Sequence, residues 1–385
     1  MGYMLRTFLI SSFLLLISYS CFSQSDTCNI RISMLTCSPG EDLYSTFGHS
    51  ALRVTDPATN EDIVYNYGTF NFDEPGFYTK FVRGKLLYYL STEAFNSFKQ
   101  AYEYEGRGMI EQVLNLSCSE KHKLLALLKQ NLQEDNKFYK YDFLFDNCTT
   151  RLRDLLENAA DSSVQFKQIV KEKTTFRDHI FEYMDYNDKQ WTKLGMDILL
   201  GNNTDVIMTN REAMYLPDYL LKGFDSGRIA NKPVVSSKNM IIDLAVIKPG
   251  KNFFTGPFFF FCLLLIVIAL LSFSKSPSIK KFMQGFDGIL FFITGFAGIM
   301  MVVMWFGTEH TVCRNNYNLL WAWPTHAVMA FFVNSRKAWV RKYFLISAIL
   351  YAVVFCILFF IPQPMNNAIT PMILLLIFRC LANGK

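Results

Sequence analysis

Histidine is scarce in this chain, with five residues among 385, and the usual cofactor motifs are missing. The sequence contains no metal-ligand cluster, no glycine-rich phosphate loop and no dinucleotide fingerprint. It also has no internal repeats and no low-complexity tracts. Its net charge of +5 comes from basic residues beside apolar segments and leaves no nucleic-acid footprint. We therefore expect no cofactor, no metal and no nucleic-acid partner.

Apart from one run near the N-terminus, long apolar runs are confined to the C-terminal third of the chain. A helix needs about 20 apolar residues to cross the hydrocarbon core of a bilayer. The first, second and fourth of five such runs are long enough, and the third and fifth are shorter and contain or adjoin proline. We predict an all-α domain of five transmembrane helices over residues 253–385. His326 is expected to hydrogen-bond a neighbouring span. The runs cover residues 253–273, 286–306, 319–333, 343–361 and 368–378.

Basic residues divide unevenly between the connections of these runs. The connections after the first and third runs, with the C-terminal tail, hold nine of them, whereas the alternate connections hold only Arg314. Basic loops stay in the cytoplasm, so the chain before residue 253 is expected on the outer face. Residues 1–23, with Arg6 before an apolar run, predict a signal peptide and the same orientation. The nine are Lys275, Lys280, Lys281, Arg336, Lys337, Arg341, Lys342, Arg379 and Lys385.

Residues 26–247 mix short β-rich runs with amphipathic patterns and predict one α+β domain. An aromatic-rich stretch at residues 70–90 is expected mainly in the core of this domain, with contact to the bilayer surface as the alternative. Strands are predicted at residues 30–36, 51–55, 62–67 and 109–116. Helices are predicted at residues 93–105, 120–132, 149–160 and 176–186.

Cys148 stands in a different context from the other cysteines of this predicted domain. Asn147 is a good N-cap residue for the predicted helix, so Cys148 falls in its first turn. There the helix dipole and the unpaired N–H groups favour the thiolate and lower the pKa of the thiol. The alternative is a structural or disulfide-bonded cysteine. Cys28 is expected to pair with Cys37 or Cys118 under oxidising conditions.

Only three histidines lie in the predicted outer domain, which narrows the choice of a base for this thiol. His122 and His179 lie in charged stretches and are expected at the surface. His49 follows a glycine-containing turn and opens an alternating strand, a position from which it can face a cleft. We therefore choose His49 as the candidate base, with a hydrogen-bonded structural histidine as the alternative.

The segments around His49 and Cys148 resemble the histidine and cysteine motifs of circularly permuted papain-like enzymes, which have them in this order. Together with the five predicted spans, they give nearly the whole chain a resemblance to the Lnb family, lipoprotein N-acyltransferases of Gram-negative bacteria. The resemblance implies a circularly permuted papain-like periplasmic domain followed by a five-helix domain in the inner membrane. The motifs are Gly48-His49-Ser50, Tyr65-Asn66-Tyr67-Gly68, Asn147-Cys148-Thr149, Thr308-Glu309-His310 and Asn318-Leu319-Leu320-Trp321-Ala322-Trp323-Pro324.

The family pattern also implies a role for each matching position. Cys148 is the nucleophile, His49 is the base, and Asn66 orients the imidazole. Tyr65 or Tyr67 takes the role of Asn66 if the strand register differs. The candidate substrate contacts are Asn147, Tyr67 and His310.

The reaction implied is the transfer of a fatty acyl chain from a phospholipid, through a thioester, to an amine. The acceptor is the α-amine of the N-terminal diacylglyceryl-cysteine of an apolipoprotein, so the partners are a phospholipid donor, a diacylated apolipoprotein and membrane lipid. A membrane-anchored cysteine peptidase or cell-wall amidase is the main alternative, because it passes through the same kind of acyl-enzyme. A non-catalytic membrane receptor or scaffold with Cys148 in a disulfide is the second.

Overall fold

The computed structural model describes residues 28–186, 188–243 and 253–385. The predicted signal peptide, residues 1–23, therefore lies outside the described residues. The boundaries predicted for the two domains, 26–247 and 253–385, stay a prediction. Within its described part, the chain forms a domain of sheet and helices followed by a helical domain, which confirms the predicted α+β and all-α classes.

An antiparallel sheet forms the centre of the first domain. In chain order the strands of the described residues are β1 (Arg31–Cys37), β2 (His49–Asp56), β3 (Glu61–Thr69), β4 (Leu87–Ala94), β5 (Met109–Leu114), β6 (Phe138–Lys140), β7 (Val164–Gln165), β8 (Arg228–Ile229), β9 (Lys232–Pro233) and β10 (Val235–Ile242). The main sheet has the order β10-β5-β1-β2-β3-β4-β6, and β7, β8 and β9 form a small second sheet.

Two special backbone positions shape the edge of the sheet where β2 begins and β3 ends. Gly48 has a φ of 80°, and a Cβ added there would lie 2.7 Å from the carbonyl oxygen of Cys37, so the turn requires glycine. The turn starts β2 at His49, directly opposite Cys37 on β1. In β3 the pairing with β4 is irregular between Asn66 and Thr69. A bulge of this kind re-aims the side chains beside it.

The helices of the first domain pack on this sheet, and the central one is α5 (Cys148–Ala159). Its leucines at 152, 155 and 156 are buried in the main core against side chains of β1, β2, β3 and α3. Burial of each such side chain contributes about 1.5–3 kcal/mol. The helices are α1 (Phe77–Val82), α2 (Phe95–Tyr104), α3 (Cys118–Asn131), α4 (Glu134–Lys137), α5 (Cys148–Ala159), α6 (Phe176–Tyr186), α7 (Gln190–Leu199) and α8 (Pro217–Ser226).

The second domain contains two helices that are long and apolar enough to cross a membrane, counted over the described residues. They are α10 (Pro277–Phe306) and α12 with the turn that follows it (Ala338–Phe360). Two further helices, α9 (Pro257–Ser272) and α13 (Ile369–Asn383), are apolar but shorter. The number of spans stays a prediction. The helices are α9 (Pro257–Ser272), α10 (Pro277–Phe306), α11 (Thr325–Met329), α12 (Ala338–Ile357) and α13 (Ile369–Asn383).

The expectation of one continuous helix over residues 319–333 is wrong. This segment starts as a short 3₁₀ turn, and Pro324 precedes the five-residue helix α11. It packs directly on the backbone of α10, because a Cβ added to Gly295 would lie 1.9 Å from the nitrogen of Ala327. His326 in this segment hydrogen-bonds the Tyr351 hydroxyl of α12 at 2.6 Å, which confirms the expected bond to a neighbouring helix.

Arg379 counts as a loop charge in the sequence, but the structure buries it. Its guanidinium donates to both carboxylate oxygens of Asp287 on α10, at 2.6 and 2.7 Å, and to Ser272 at the end of α9. The ion pair therefore joins α9, α10 and α13. The remaining basic residues still outnumber Arg314, so the predicted orientation does not depend on Arg379.

The first domain is seated on the connection that follows α10, residues 307–318. The N–H of Gly201 donates to the carbonyl of Val312 at 2.8 Å, and the amide of Asn316 donates to the carbonyl of Ile198 at 2.7 Å. A Cβ on Gly201 would lie 1.8 Å from the carbonyl oxygen of Arg314. This backbone-to-backbone packing fixes the outer domain against the membrane domain.

Candidate active site

Cys148 is the first residue of α5, and Asn147 caps that helix. The Asn147 side-chain oxygen accepts hydrogen bonds from the N–H groups of Thr149 and Thr150, both at 2.9 Å. In return, the Thr150 hydroxyl accepts from the N–H of Asn147 at 2.8 Å. The cap places the Cys148 side chain at the positive end of the helix dipole, where a thiolate is favoured.

The loop before the cap is held by polar contacts on both sides. The Asn147 amide nitrogen donates to the carbonyl oxygens of Phe143 and Tyr215, at 2.8 and 2.9 Å. The carboxylate of Asp142 accepts from the N–H groups of residues 144 and 145, and also from the hydroxyl of Thr311 in the membrane connection, at 3.3 Å. Asn147 is thus 3% exposed and serves the shape of the loop.

His49 lies between Cys148 and Asn66. Its Nε2 lies 2.7 Å from the Oδ1 of Asn66 and donates to it, because an amide oxygen can only accept. The imidazole also interacts with the Cys148 thiol, because each of the two groups shifts the pKa of the other. The structure therefore brings the three predicted catalytic residues together in one row, although their positions span 100 residues of sequence.

The electrostatics around Cys148 and His49 favour a pair of thiolate and imidazolium. Burial on its own raises the pKa of Cys148, but the charge and hydrogen bond of His49, the Thr149 hydroxyl and the Ser50 N–H together lower it to about 7. Burial lowers the pKa of His49, and the interactions with Cys148 and Asn66 outweigh it, so this pKa is raised. A thiolate beside an imidazolium is then accessible near neutral pH.

The alternation of β3 distinguishes Asn66 from its neighbours. Asn66 points to His49, whereas Tyr65 and Tyr67 pack in the main core with α5. Tyr67 is 1% exposed, and its hydroxyl accepts from the amide of Asn131 at 2.7 Å. This burial leaves no surface of Tyr67 for a substrate, so Tyr67 is not among the substrate contacts that we propose.

Glu93 on β4 is a site residue that the sequence analysis missed. Burial raises the pKa of Glu93, and interactions of its side chain with Asn66 and His49 lower it in part. Because β4 pairs antiparallel with β3, Ser91 lies opposite Asn66, and Glu93, two residues further along β4, points to the same face of the sheet as Asn66. The sequence placed residue 93 at the start of a helix, and the pairing of β4 was not visible in it.

The contacts that the structure describes for His310 and His179 are with residues other than Cys148. His310 donates from Nε2 to the carbonyl oxygen of Phe81 at 3.1 Å, so it connects the membrane domain to α1. The expectation that His179 lies at the surface is wrong, since it is 1% exposed and its ring lies 4.0 Å from that of Tyr219. Burial lowers the pKa of His179 to about 4.

The cysteines separate into distinct environments. Cys148 forms no disulfide with another described cysteine, which argues against the scaffold alternative. Cys37 lies at the far end of β1 from Cys28, beyond the reach of a disulfide, so that predicted pairing is wrong. The sulfurs of Cys28 and Cys118 lie within 4.8 Å of each other and of a nitrogen of His122. This group can form the other predicted disulfide or hold a thiophilic metal ion, although the sequence suggested no metal cluster.

Two family models cover most of the chain. The Lnb N-terminal periplasmic domain matches residues 20–187, and the Lnb transmembrane domain matches residues 249–384. The chain belongs to the Lnb family. Comparisons with curated proteins and with solved structures gave no match. Lnb membership makes the chain a membrane protein with a periplasmic N-terminal domain, related to lipoprotein N-acyltransferases.

Proposed function

We propose that this protein is a lipoprotein N-acyltransferase of the inner membrane. It moves a fatty acyl chain from a phospholipid, through a thioester on Cys148, to the α-amine of the N-terminal diacylglyceryl-cysteine of an apolipoprotein. The observation that carries the proposal is the grouping of Cys148, His49 and Asn66 in a chain with both Lnb domains. A thiol at a helix start, with its histidine on an earlier strand, also supports a circularly permuted papain-like fold for the outer domain.

In the first half-reaction, the Cys148 thiolate attacks the carbonyl carbon of a phospholipid ester while His49 holds the thiol proton. The Asn147 side chain occupies the N–H groups of Thr149 and Thr150, so the N–H of Cys148 is the helix donor for the oxyanion. When the C–O bond breaks, the His49 imidazolium gives its proton to the leaving oxygen. A lysophospholipid leaves, and the acyl chain stays on sulfur.

In the second half-reaction, the neutral α-amine of the lipidated cysteine attacks the thioester carbonyl. His49 accepts a proton from the amine, the C–S bond breaks, and the Cys148 thiolate leaves. An amine with a reference pKa of about 8 is partly neutral near pH 7, so a pair poised at that pH fits both halves. A cysteine peptidase would pass through the same kind of acyl-enzyme, formed from a peptide amide with release of an amine, and water would then hydrolyse the thioester.

The experiment is mass spectrometry of the N-terminal peptide of one lipoprotein, from cells with the wild-type protein, Cys148→Ser, His49→Ala or no protein. We expect the third acyl chain only with wild-type protein. Cys356→Ser is the control, because Cys356 is an exposed cysteine of the membrane domain. It should retain N-acylation at equal protein level. A third acyl chain in the Cys148→Ser sample would overturn the proposal.

A further inference from the structure

We propose that a continuous row of aromatic side chains guides the acyl chain of the phospholipid from the membrane surface to Cys148. The row consists of Phe81, Phe77, Phe70, Tyr88 and Tyr141. This inference rests on the proposed function, since it names the path of the lipid substrate to the same thiol. Of the seven aromatic residues at 70–90 only Phe77 is buried, so the expectation that this stretch lies mainly in the core is wrong.

The outer end of the row is exposed and lies at the membrane domain. Phe81 is 50% exposed, and its neighbour Tyr78 is 78% exposed. Two bonds attach this end to the connection just after α10: Glu309 donates its N–H to the carbonyl of Arg83 at 3.0 Å, and His310 donates to the carbonyl of Phe81 at 3.1 Å. Exposed aromatic rings next to the end of a membrane-crossing helix are typical of contact with the bilayer interface.

From that end, each ring of the row contacts the next. The centroid distances are 6.1 Å from Phe81 to Phe77, 5.8 Å from Phe77 to Phe70, 5.3 Å from Phe70 to Tyr88 and 4.5 Å from Tyr88 to Tyr141. The row therefore has no polar interruption between α1 and the loop that leads to the nucleophile. An alkyl chain can exchange water for contact with each ring of the row that keeps exposed surface.

The inner end of the row lies beside the thiol. A Cβ added to Gly68 would lie 3.6 Å from the Cβ of Cys148 and 3.9 Å from the Cε2 of Tyr141, so both side chains lie next to this glycine. Gly68 has a φ of 90° and carries no side chain to close the gap. The absence of a Cβ here leaves room for a carbonyl carbon to approach sulfur.

Partial exposure distinguishes the row from an ordinary core. Phe77 is buried, but Phe70, Tyr88 and Tyr141 each keep part of their surface exposed, and Phe81 is open. A purely structural cluster would bury its rings, whereas four of these five rings keep exposed apolar surface that a substrate can cover. The chemistry of that face fits an unbranched hydrocarbon chain and offers nothing to a hydrophilic peptidoglycan strand.

The test uses two reagents with the same reactive group, iodoacetamide and N-hexadecyl iodoacetamide, on the full-length protein in phosphatidylethanolamine and phosphatidylglycerol vesicles. The rate of Cys148 alkylation is followed by mass spectrometry for wild type, Phe81→Glu, Phe70→Glu and Tyr104→Glu. Tyr104 is the matched control, because it is a 94% exposed aromatic residue outside the row.

We expect both row variants to lose at least tenfold in rate with the hexadecyl reagent, with the iodoacetamide rate within twofold of wild type. Tyr104→Glu should behave as wild type with both reagents. Equal hexadecyl rates in Phe81→Glu and wild type would overturn the inference; Phe81 is exposed, so this variant keeps the fold. The cell experiment separates the two proposals. If the row variants lose the hexadecyl rate in vesicles but wild-type protein adds no third acyl chain in cells, the proposed function is refuted and the path stands.

Discussion

Asn66 holds the imidazole of His49 by accepting a hydrogen bond from it, with 2.7 Å between Oδ1 and Nε2. This bond fixes both the ring plane and the proton position, so that the other nitrogen faces the sulfur. We expect Asn66→Ala to lower the acyl-transfer rate on the order of 100-fold, because a misplaced base costs about that much. The measurement is kcat of the purified Asn66→Ala variant. An unchanged kcat would contradict the role of Asn66.

Glu93 acts on His49 through Asn66, which makes it a positioning residue. Interactions of its carboxylate with Asn66 and with the imidazole lower the pKa that burial raises. We expect Glu93→Ala to lower kcat by less than Asn66→Ala does, with KM unchanged, and Glu93→Gln to restore most of it because its amide oxygen still accepts. If Glu93→Gln were as impaired as Glu93→Ala, the carboxylate charge, and not the hydrogen bond, would be the feature that matters.

The pH dependence of Cys148 alkylation follows from the charged pair. Only the thiolate reacts, so the rate should rise as the pH increases through about 7, the lowered pKa of Cys148. In His49→Ala burial still raises this pKa while the lowering charge is gone, so the midpoint should move upward, towards or beyond the ordinary thiol value of 9.0. His122→Ala removes an exposed histidine and should leave the profile as it is. A midpoint that stays near 7 without His49 would rule out the pair.

The strand and helix starts that the sequence predicts correctly are marked by local signals. Gly48 before His49 and Asn147 before Cys148 mark a strand start and a helix start by short-range geometry alone, and both starts are confirmed. Glu93 and Tyr141 reach the site only because β4 and β6 pair at the edge of the sheet. The register of such long-range pairing is not specified by the local pattern of one sequence. The burial of Arg379 and His179 also depends on residues far along the chain, Asp287 for the first and Tyr219 for the second, and the sequence next to either residue does not indicate it.

Asn147 is expected to contribute more than an ordinary helix cap. Asn147→Ala loses the cap and also leaves two buried carbonyl oxygens without donors, for a total of about 2–4 kcal/mol of unfolding free energy. Ser117→Ala in the capping box of α3 is the matched control and should cost about 1 kcal/mol. Chemical denaturation in detergent measures both. Equal losses in the two variants would mean that the contacts to residues 143 and 215 add nothing.

Gly68 is the position where the smallest substitution should have a specific effect on catalysis. Gly68→Ala costs about 1–3 kcal/mol of backbone strain, since φ is 90°, and places a methyl group 3.6 Å from the Cβ of Cys148. Gly106→Ala is the control: its φ is 66°, and an added Cβ there meets nothing within 4 Å. Both variants should therefore lose similar stability, measured by thermal unfolding. Only Gly68→Ala should also slow acyl transfer, by at least about tenfold, because a methyl group at this point narrows the approach to sulfur and displaces the reacting carbon. If the two variants lost activity equally, strain alone would account for the effect, and the space beside Gly68 would not serve the reaction.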